Sequence, residues 1–252
     1  MGISIFNKSQ IALLSEASKA VAMTLDYARQ IAKEGMSLLD LDKAIEDKIL
    51  SFGMLPSFKG LYGFPNASCI SVNEVIIHGI PSDYKLKNGD IIGIDIGTKY
   101  KGYFGDGAVT FGIGEVDSKN KELMKCSFDT LNSVIDSIKE GMRFKEISKM
   151  LQDNITQRGF TPLLDYCGHG IGTKPHCEPS IPNYLPDGVS ISGPKIREGM
   201  AFCLEPMVCQ KSGVPVILDD KWSVVSKDGL NTSHHEHTVA IIGGKARILT
   251  EF

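Results

Sequence analysis

Five side chains that commonly bind metal ions are spread along the chain from residue 95 onward, each at or beside a segment with the pattern of a β-strand. They are Asp95, Asp106, His169, Glu205 and Glu236. If these four carboxylates and one imidazole converge, they form a hard, anionic pocket that suits a pair of divalent first-row ions better than zinc held by thiolates. Two-metal sites of this kind mostly activate water for hydrolysis.

The residues around the first two acids bear on this interpretation. Asp95 interrupts the apolar run 91–96, where an unpaired carboxylate would carry a large desolvation cost, so we expect a cation beside it. The alternative is that Asp95 ends a strand and caps a turn at Gly97. Asp106 lies between Gly105 and Gly107, which alone is a turn signal, but the residues on both sides have the pattern of a continuing strand.

The last two acids also lie in strand-like segments. Glu205 follows an apolar run and precedes Pro206, which favours a strand edge or a bulge. Glu236 stands between His235 and His237, and alternation along a strand directs it away from both. We therefore expect His234, His235 and His237 to lie at the surface or behind the ligands.

Two further imidazoles are candidates for chemistry. His176 follows His169 in the segment 168–176, whose repeated glycines predict a loop that brings a side chain close to an ion. His78 begins a third predicted loop, although a lone histidine is usually structural or solvent-facing. The chain has no H-E-x-x-H motif, which disfavours a single-zinc peptidase with its ligands on a helix.

The elements that must position these residues follow from apolar periodicity and from Gly and Pro stops. Ser37 with Asp40 is a candidate capping box for the second helix. We predict helices over 9–34, 37–53, 123–141 and 147–159, strands over 68–73, 91–96, 201–208 and 236–242, and a hairpin over 102–114.

A weak internal repeat accompanies this order. The segment 33–36 (K-E-G-M) recurs at 139–142, and 87–90 before Asp95 resembles 197–200 before Glu205. Because helix, helix and strand follow in the same order, we infer two related halves packed into one domain over 1–252, with an acid from each half meeting at the seam. The alternative is two domains joined by a linker near 117–121.

Composition narrows the class of protein. The 252 residues carry a net charge of −3 and no dense Lys/Arg block, so nucleic acid is not expected as a partner. Neither a secretory signal nor a membrane-spanning run is apparent. The six cysteines form no C-x-x-C pair and are expected to be reduced thiols. A cytoplasmic monomer is the simplest expectation.

The motifs, in order and spacing, resemble those of the type I methionine aminopeptidases over nearly the whole chain. The matching segments are 69–81 (C-I-S-V-N-E-V-I-I-H-G-I-P), Asp95 with Gly105-Asp106, 168–179, 204–207 (L-E-P-M) and 236–238 (E-H-T). The resemblance implies an α+β pita-bread fold with two pseudo-symmetric halves and a central curved antiparallel sheet. It also implies that the protein removes N-terminal methionine by hydrolysis and that it uses two divalent metal ions (Mn, Fe, Co or Zn).

The resemblance further assigns roles to single residues. It makes Asp95 a ligand of one ion, Asp106 and Glu236 bridges between both, and His169 and Glu205 ligands of the other. Glu205 would also accept a proton from water, while His78 and His176 would contact the scissile peptide and its developing charge.

Substrate selection is implied by the same resemblance. Phe64, Cys69 and Trp222 fall where the family builds its methionine pocket, and a small second residue is preferred. Leu61, Pro175 and Cys177 depart from the family's usual residues and affect the expected fine specificity. The partners implied are the N-termini of nascent polypeptides, with transient proximity to the ribosome.

Two other functions remain open at this point. One is a proline-directed aminopeptidase on the same fold, which usually carries an extra N-terminal domain. The other is a binding protein without catalysis, because a fold does not secure a function. Such a protein is expected to have lost ligands, whereas all five here have the appropriate chemical type.

Overall fold

The computed structural model describes residues 2–251. This part of the chain contains four α-helices and fifteen β-strands. The helices are α1 (Lys8–Ile31), α2 (Leu38–Ser51), α3 (Ser118–Ser137) and α4 (Phe144–Gln157). The strands are β1 (Leu55–Pro56), β2 (Ser68–Val72), β3 (Val75–Ile77), β4 (Ile91–Tyr100), β5 (Tyr103–Gly112), β6 (Thr161–Pro162), β7 (Cys167–Gly170), β8 (Cys177–Pro182), β9 (Ala201–Leu204), β10 (Met207–Cys209), β11 (Pro215–Ile217), β12 (Val224–Ser226), β13 (Thr232–His234), β14 (Glu236–Ile242) and β15 (Lys245–Ile248).

An antiparallel main sheet runs through both halves of the chain, in the order β1-β4-β5-β14-β9-β7-β8, with β2 beside β4 and β15 beside β14. Strand β14 pairs with β5 of the first half on one side and with β9 of the second half on the other. It therefore forms the seam between the halves. Two smaller sheets, β13-β10-β6 and β11-β12-β3, complete the fold.

Each half contributes its own helix pair and its own apolar core. The first core joins α1 and α2 to β2, β4 and β5, and it includes Leu41, Ile45 and Ile94. The second joins α3 and α4 to β8, β9 and β14, and it includes Ile147 and Phe202. The α+β class and the two related halves are thus confirmed.

The sequence repeat corresponds to a repeated set of backbone hydrogen bonds. In the first half the Gly35 amide donates to the Leu86 carbonyl (2.8 Å), and in the second the Gly141 amide donates to the Ile196 carbonyl (2.9 Å). Both glycines have positive φ, 83° and 91°, a backbone conformation that glycine adopts without strain. The K-E-G-M letters therefore mark the same connection after the first helix of each half.

Side chains cap the starts of α2 and α3. Ser37 Oγ accepts a hydrogen bond from the Asp40 amide at the start of α2 (3.1 Å), which is the first half of the predicted capping box, and the Asp40 carboxylate accepts from the Ser37 hydroxyl (2.7 Å) and not from its amide. Asp117 caps α3 by accepting from the Asn120 amide (2.8 Å). Residues 117–121 thus form the start of α3.

Two predicted strand boundaries were wrong. Residues 102–114 do not form a hairpin of their own, because β5 is the second arm of a hairpin whose first arm is β4. The predicted strand 201–208 is broken at Glu205 and Pro206 into β9 and β10, which belong to different sheets. Proline has no amide hydrogen for the ladder, which is consistent with pairing being interrupted there.

No helix within residues 2–251 is both long and apolar enough to cross a lipid bilayer.

Candidate metal centre

Three of the candidate acids lie on one face of the main sheet, across neighbouring strands. Asp95 on β4 and Glu236 on β14 both lie opposite Ala108 of the intervening strand β5. Asp106 lies two residues from Ala108 on that strand and so shares its face. The antiparallel register thus places three carboxylates together, although 141 residues separate Asp95 from Glu236 (236 − 95).

Asp106 lies within β5 and not at a turn, and its glycine neighbours have a packing role. A Cβ at Gly105 would lie 2.6 Å from the backbone nitrogen of Ser18 on α1. Gly105 therefore lets α1 lie directly against β5, and Asp106 points to the opposite face. The side chain of Asp106 is only 4% exposed.

Glu205 reaches the centre from the break between β9 and β10. The register on either side of the break is continuous, with Leu204 opposite His237 and Met207 opposite His234. Glu205 is therefore level with Glu236 on the neighbouring strand. The break frees Glu205 from regular pairing at the point where its carboxylate faces the other acids.

His169 lies on β7, so the predicted loop was wrong there. A Cβ at Gly168 would meet the Cys203 carbonyl oxygen at 2.5 Å, and a Cβ at Gly170 would meet the Glu178 carbonyl oxygen at 2.1 Å. The glycines on either side of His169 therefore allow close contact between strand backbones. The sequence had predicted a loop from these same glycines.

The hydrogen bond of His169 fixes which ring nitrogen is free. Nδ1 lies 3.1 Å from the carbonyl oxygen of Gly170, and because a carbonyl only accepts, Nδ1 carries the proton. The lone pair of Nε2 is directed at the centre, 4.0 Å from Asp106 Oδ2 and 3.6 Å from Glu205 Oε1. A backbone carbonyl in this position orients a metal-binding imidazole.

The electrostatics of the five residues suit a bound cation. Burial, followed by the neighbouring negative charges, raises the pKa of Asp106, Glu205 and Glu236 well above the usual carboxyl range. Burial raises the pKa of Asp95 to about 7 and lowers the pKa of His169 to about 3, so this imidazole is neutral. A divalent ion would reverse the preference of the acids for the protonated form.

Unpartnered buried atoms provide a test of whether a metal fits. Oδ1 of Asp95, Oδ1 of Asp106 and Oε1 of Glu236 have no hydrogen-bond partner among the described residues. A buried carboxylate oxygen without a partner is costly unless it faces a cation. The oxygen-rich donor set with a neutral imidazole therefore fits divalent metal ions.

 All five residues line one cavity of about 540 Å³. The lining also includes both of the other candidate histidines, His78 and His176. His176 is exposed, and the centroid of its ring lies 4.4 Å from that of His169, while His78 packs edge-on against Trp222 (6.4 Å). A bound molecule can therefore touch the acids and both histidines at once.

The apolar residues predicted to select the substrate lie together at the same cavity. Phe64, Cys69 and Trp222 belong to one apolar cluster, and the rings of Phe64 and Trp222 meet edge-on at 5.1 Å. Cys69 on β2 lies directly opposite Asp95 on β4. The apolar pocket is therefore adjacent to the acids. Other residues that line the cavity were not predicted from the sequence, namely Phe58, Tyr62, Ile77, Tyr166 and Met207.

Tyr62 illustrates why those residues were missed. It lies in a short 3₁₀ turn, has a positive φ of 51° and is 76% exposed. Its ring stacks on His176 with the two centroids 6.1 Å apart. The sequence segment 60–66 has no periodicity that would indicate this contact.

The expectation for the three histidines near Glu236 was wrong for His234. His235 and His237 point away from Glu236, toward Ser127 and Thr250, and His235 is buried. His234 lies two residues from Glu236 and faces the centre, 3.9 Å from Glu236 Oε2. The alternation that excludes His235 and His237 could have identified His234, because residues two apart share a face.

Comparisons with known proteins identify the family of the chain. The model of metallopeptidase family M24 matches residues 12–242. The methionine aminopeptidase of Helicobacter pylori strain 26695 is 58% identical over 252 residues, which are 100% of each chain.

Solved structures show the same relationship. A methionine aminopeptidase from Thermotoga maritima superposes with a TM-score of 0.96 at 37% identity, covering 100% of each chain. A prolidase from Pyrococcus furiosus superposes with a TM-score of 0.80 at 22% identity, covering 98% of this chain and 65% of that one, which shows the shared pita-bread fold alone. The chain therefore belongs to metallopeptidase family M24 and, within it, to the methionine aminopeptidases.

Proposed function

We propose that this protein removes the N-terminal methionine from peptides and newly made proteins by hydrolysis at a centre of two divalent ions, within one catalytic domain. The observation that carries the proposal is the adjacency of the acid cluster and the apolar pocket. Cys69 of the pocket lies directly opposite Asp95 across β2 and β4. An apolar first side chain in the pocket would place the peptide bond that follows it beside the acids.

The ligand set we propose is that of the five converging residues. Asp95 would hold one ion, Asp106 and Glu236 would each help to hold both, and His169 and Glu205 would hold the other. Its support is that Asp95, Asp106 and Glu236 share one sheet face, and that His169 Nε2 lies 3.6 Å from Glu205 Oε1. Mn, Fe, Co and Zn all tolerate this oxygen-rich set with one imidazole.

The bound ions would supply a water molecule acidic enough to attack near neutral pH. Glu205 would accept the proton, because its side chain is only 12% exposed and its carboxylate lies at the centre, 3.6 Å from His169 Nε2. His176, at the exposed side of the cavity, would donate a hydrogen bond to the oxygen on which negative charge develops.

His78 would bind the amide next to the cleaved bond. It follows β3 with a positive φ of 57°, and it packs against Tyr166 and Trp222. Burial lowers its pKa to about 4, so the ring is neutral and can both donate and accept a hydrogen bond.

Selection of methionine would depend on the shape of the pocket. Contacts between a thioether and aromatic rings contribute only about 0.3–1.5 kcal/mol each, so Phe64, Cys69 and Trp222 must exclude wrong side chains mainly by fit. We also propose a small second residue in the substrate. Leu61 and Cys177 line the cavity, Pro175 directly precedes His176 in the chain, and all three would tune this preference.

The cellular setting is part of the same proposal. All six cysteines are free thiols, as is common in a reducing compartment. We propose that the enzyme acts as a monomer in the cytoplasm on nascent polypeptides, close to the ribosome, without binding nucleic acid or membranes.

The test compares two peptides with one preparation. Release of the first residue from Met-Gly-Met and from Ala-Pro-Gly is measured before chelation, after chelation and after adding back Mn(II) or Co(II). We expect release of methionine only, abolished by chelation and restored by metal. Cleavage of the proline peptide alone would indicate the proline-directed activity instead, and inertness under all conditions would indicate a binding protein without catalysis.

A further inference from the structure

We propose that His234 is an additional metal ligand of this centre, binding through Nε2 beside Glu205 and Glu236. The proposal rests on the proposed function and extends it, because the set of five ligands contains one imidazole and His234 would add a second. The chemical class of the bound group is the same, a divalent first-row ion.

The backbone holds His234 in place from two sides. As the last residue of β13 it pairs with Met207 of β10. The hydroxyl of Thr110 accepts a hydrogen bond from the His234 amide (3.0 Å) and donates one to the His234 carbonyl (2.5 Å). The position of His234 relative to Glu205 is therefore set by two strands.

The distances from His234 to the acids suit a shared ion and not a hydrogen bond. Nε2 lies 3.8 Å from Glu205 Oε2 and 3.9 Å from Glu236 Oε2. Both separations exceed the range of about 2.7–3.2 Å for an N–H···O bond. Two atoms that bind one ion at about 2.1 Å can lie up to about 4.2 Å apart, and both separations are within that limit.

His234 and His169 have matching relationships to Glu205. His169 Nε2 lies 3.6 Å from Oε1 of Glu205, and His234 Nε2 lies 3.8 Å from Oε2 of the same carboxylate. The two imidazoles thus approach different oxygens of Glu205. If the distance of His169 is that of a ligand, the distance of His234 is equally compatible with ligation.

Burial makes the free nitrogen of His234 informative. The side chain is 3% exposed, and Nε2 has no hydrogen-bond partner within residues 2–251. The adjacent His235 shows how a structural histidine is satisfied in this fold. Its Nε2 accepts from the Thr110 amide (3.3 Å) and its Nδ1 lies 2.7 Å from Ser127 Oγ. The contrast with His235 indicates that Nε2 of His234 is reserved for a ligand.

The test is titration calorimetry of the full chain, stripped of metal, with Mn(II). The variants are His234→Ala, His234→Gln and the control His237→Gln, whose ring faces Thr250 on the other side of β14. We expect two ions per chain in the wild type and the control, and at least about tenfold weaker binding of one ion in both His234 variants. The visible spectrum of the Co(II)-loaded protein should also change in both variants, because it reports the coordination of the ion.

The glutamine variant separates ligation from simple positioning. Its amide can donate a hydrogen bond to Glu205 but cannot supply an imidazole nitrogen. Wild-type affinity and an unchanged Co(II) spectrum in His234→Gln would overturn the inference, whatever His234→Ala does. If the wild type binds two ions and both variants match it, this inference alone fails. If the wild type binds no divalent ion, the proposed function fails with it.

Discussion

Asp95 and Glu236 flank the same residue of β5, Ala108, from opposite sides of that strand. One comes from the first half of the chain and the other from the strand at the seam. The metal centre is thus a property of strand register: a shift of one residue in either pair would turn one carboxylate to the opposite face of the sheet. Asp106, two residues along β5, completes the row.

The first prediction concerns Asp106. Replacing it with Asn removes a charge while preserving its size, so the proposed bridge between two ions is lost. We expect fewer than two Mn(II) ions per chain by calorimetry and a fall in kcat/KM of more than about 100-fold. Such a fall exceeds the loss that follows when a residue hydrogen-bonded to a metal ligand is removed. The control is Asp47→Asn, which removes an exposed acid of α2. Unchanged turnover and ion stoichiometry in Asp106→Asn would contradict the proposed centre.

Glu205 gives the second prediction, because it is proposed both to bind metal and to accept a proton. Glu205→Gln should lower kcat by about 10²–10⁴-fold, the usual contribution of a general base, with a smaller change in KM. Steady-state kinetics on Met-Gly-Met at saturating metal measures this. The exposed acid Glu122 of α3 provides the control Glu122→Gln. A kcat close to that of wild type in Glu205→Gln would assign proton transfer to another group.

Much of this site could be predicted from residue types and spacing. A carboxylate inside an apolar run, such as Asp95, carries a desolvation cost that only a partner can offset. Such a carboxylate can therefore be recognised from the sequence as a candidate ligand. Helix caps such as Ser37 depend only on residues close in the sequence, so they too could be predicted. The paired repeats around Gly35 and Gly141 indicated the two halves.

Other features depend on contacts that no local pattern encodes. In the sequence, Gly105 and Gly170 resemble turn or loop glycines. In the structure, α1 lies against Gly105 and a neighbouring strand lies against Gly170, too close to leave room for a Cβ. The break at Glu205 also divides one apolar run between two sheets. Tyr62 meets His176 only through the tertiary fold.

Gly105 therefore supports a prediction about stability. In Gly105→Ala the new Cβ would lie 2.6 Å from the backbone nitrogen of Ser18, so α1 or β5 must move. We expect a loss of about 1–3 kcal/mol in the free energy of unfolding, measured by urea denaturation of the metal-free protein. Gly2→Ala is the matched control, because its Cβ would meet nothing within 4 Å. Equal stability of the two variants would show that the helix adjusts without cost.

Proton release on metal binding is the next prediction. Burial raises the pKa of Asp95 to about 7 and those of Asp106, Glu205 and Glu236 well above their usual range. The metal-free folded protein holds protons that an unfolded chain releases near pH 4, so these groups destabilise the folded state as the pH rises above about 4, and for Asp95 this loss is complete once the pH passes about 7.

Ions bind the ionised acids and must displace those protons. His169 contributes none, because its pKa is lowered to about 3 and its ring is already neutral. Titrating Mn(II) at pH 6.5 in buffers of different ionisation enthalpy should show net release of at least about one proton per chain. The stabilisation by metal, followed as the shift in Tm, should grow as the pH rises from 5 to 8. An enthalpy independent of the buffer would mean that the acids are ionised before metal binds.

The last prediction concerns the apolar pocket. Trp222 meets Phe64 edge-on at 5.1 Å and also packs against His78. Aromatic pairs of this kind contribute about 0.5–1.5 kcal/mol beyond the area they bury, so Trp222→Ala should lower kcat/KM for Met-Ala peptides by about tenfold. The loss should be smaller for peptides that begin with alanine, whose side chain does not reach the rings. Equal losses for both peptides would mean that Trp222 acts by positioning His78 at the scissile amide, and that it does not recognise the methionine side chain.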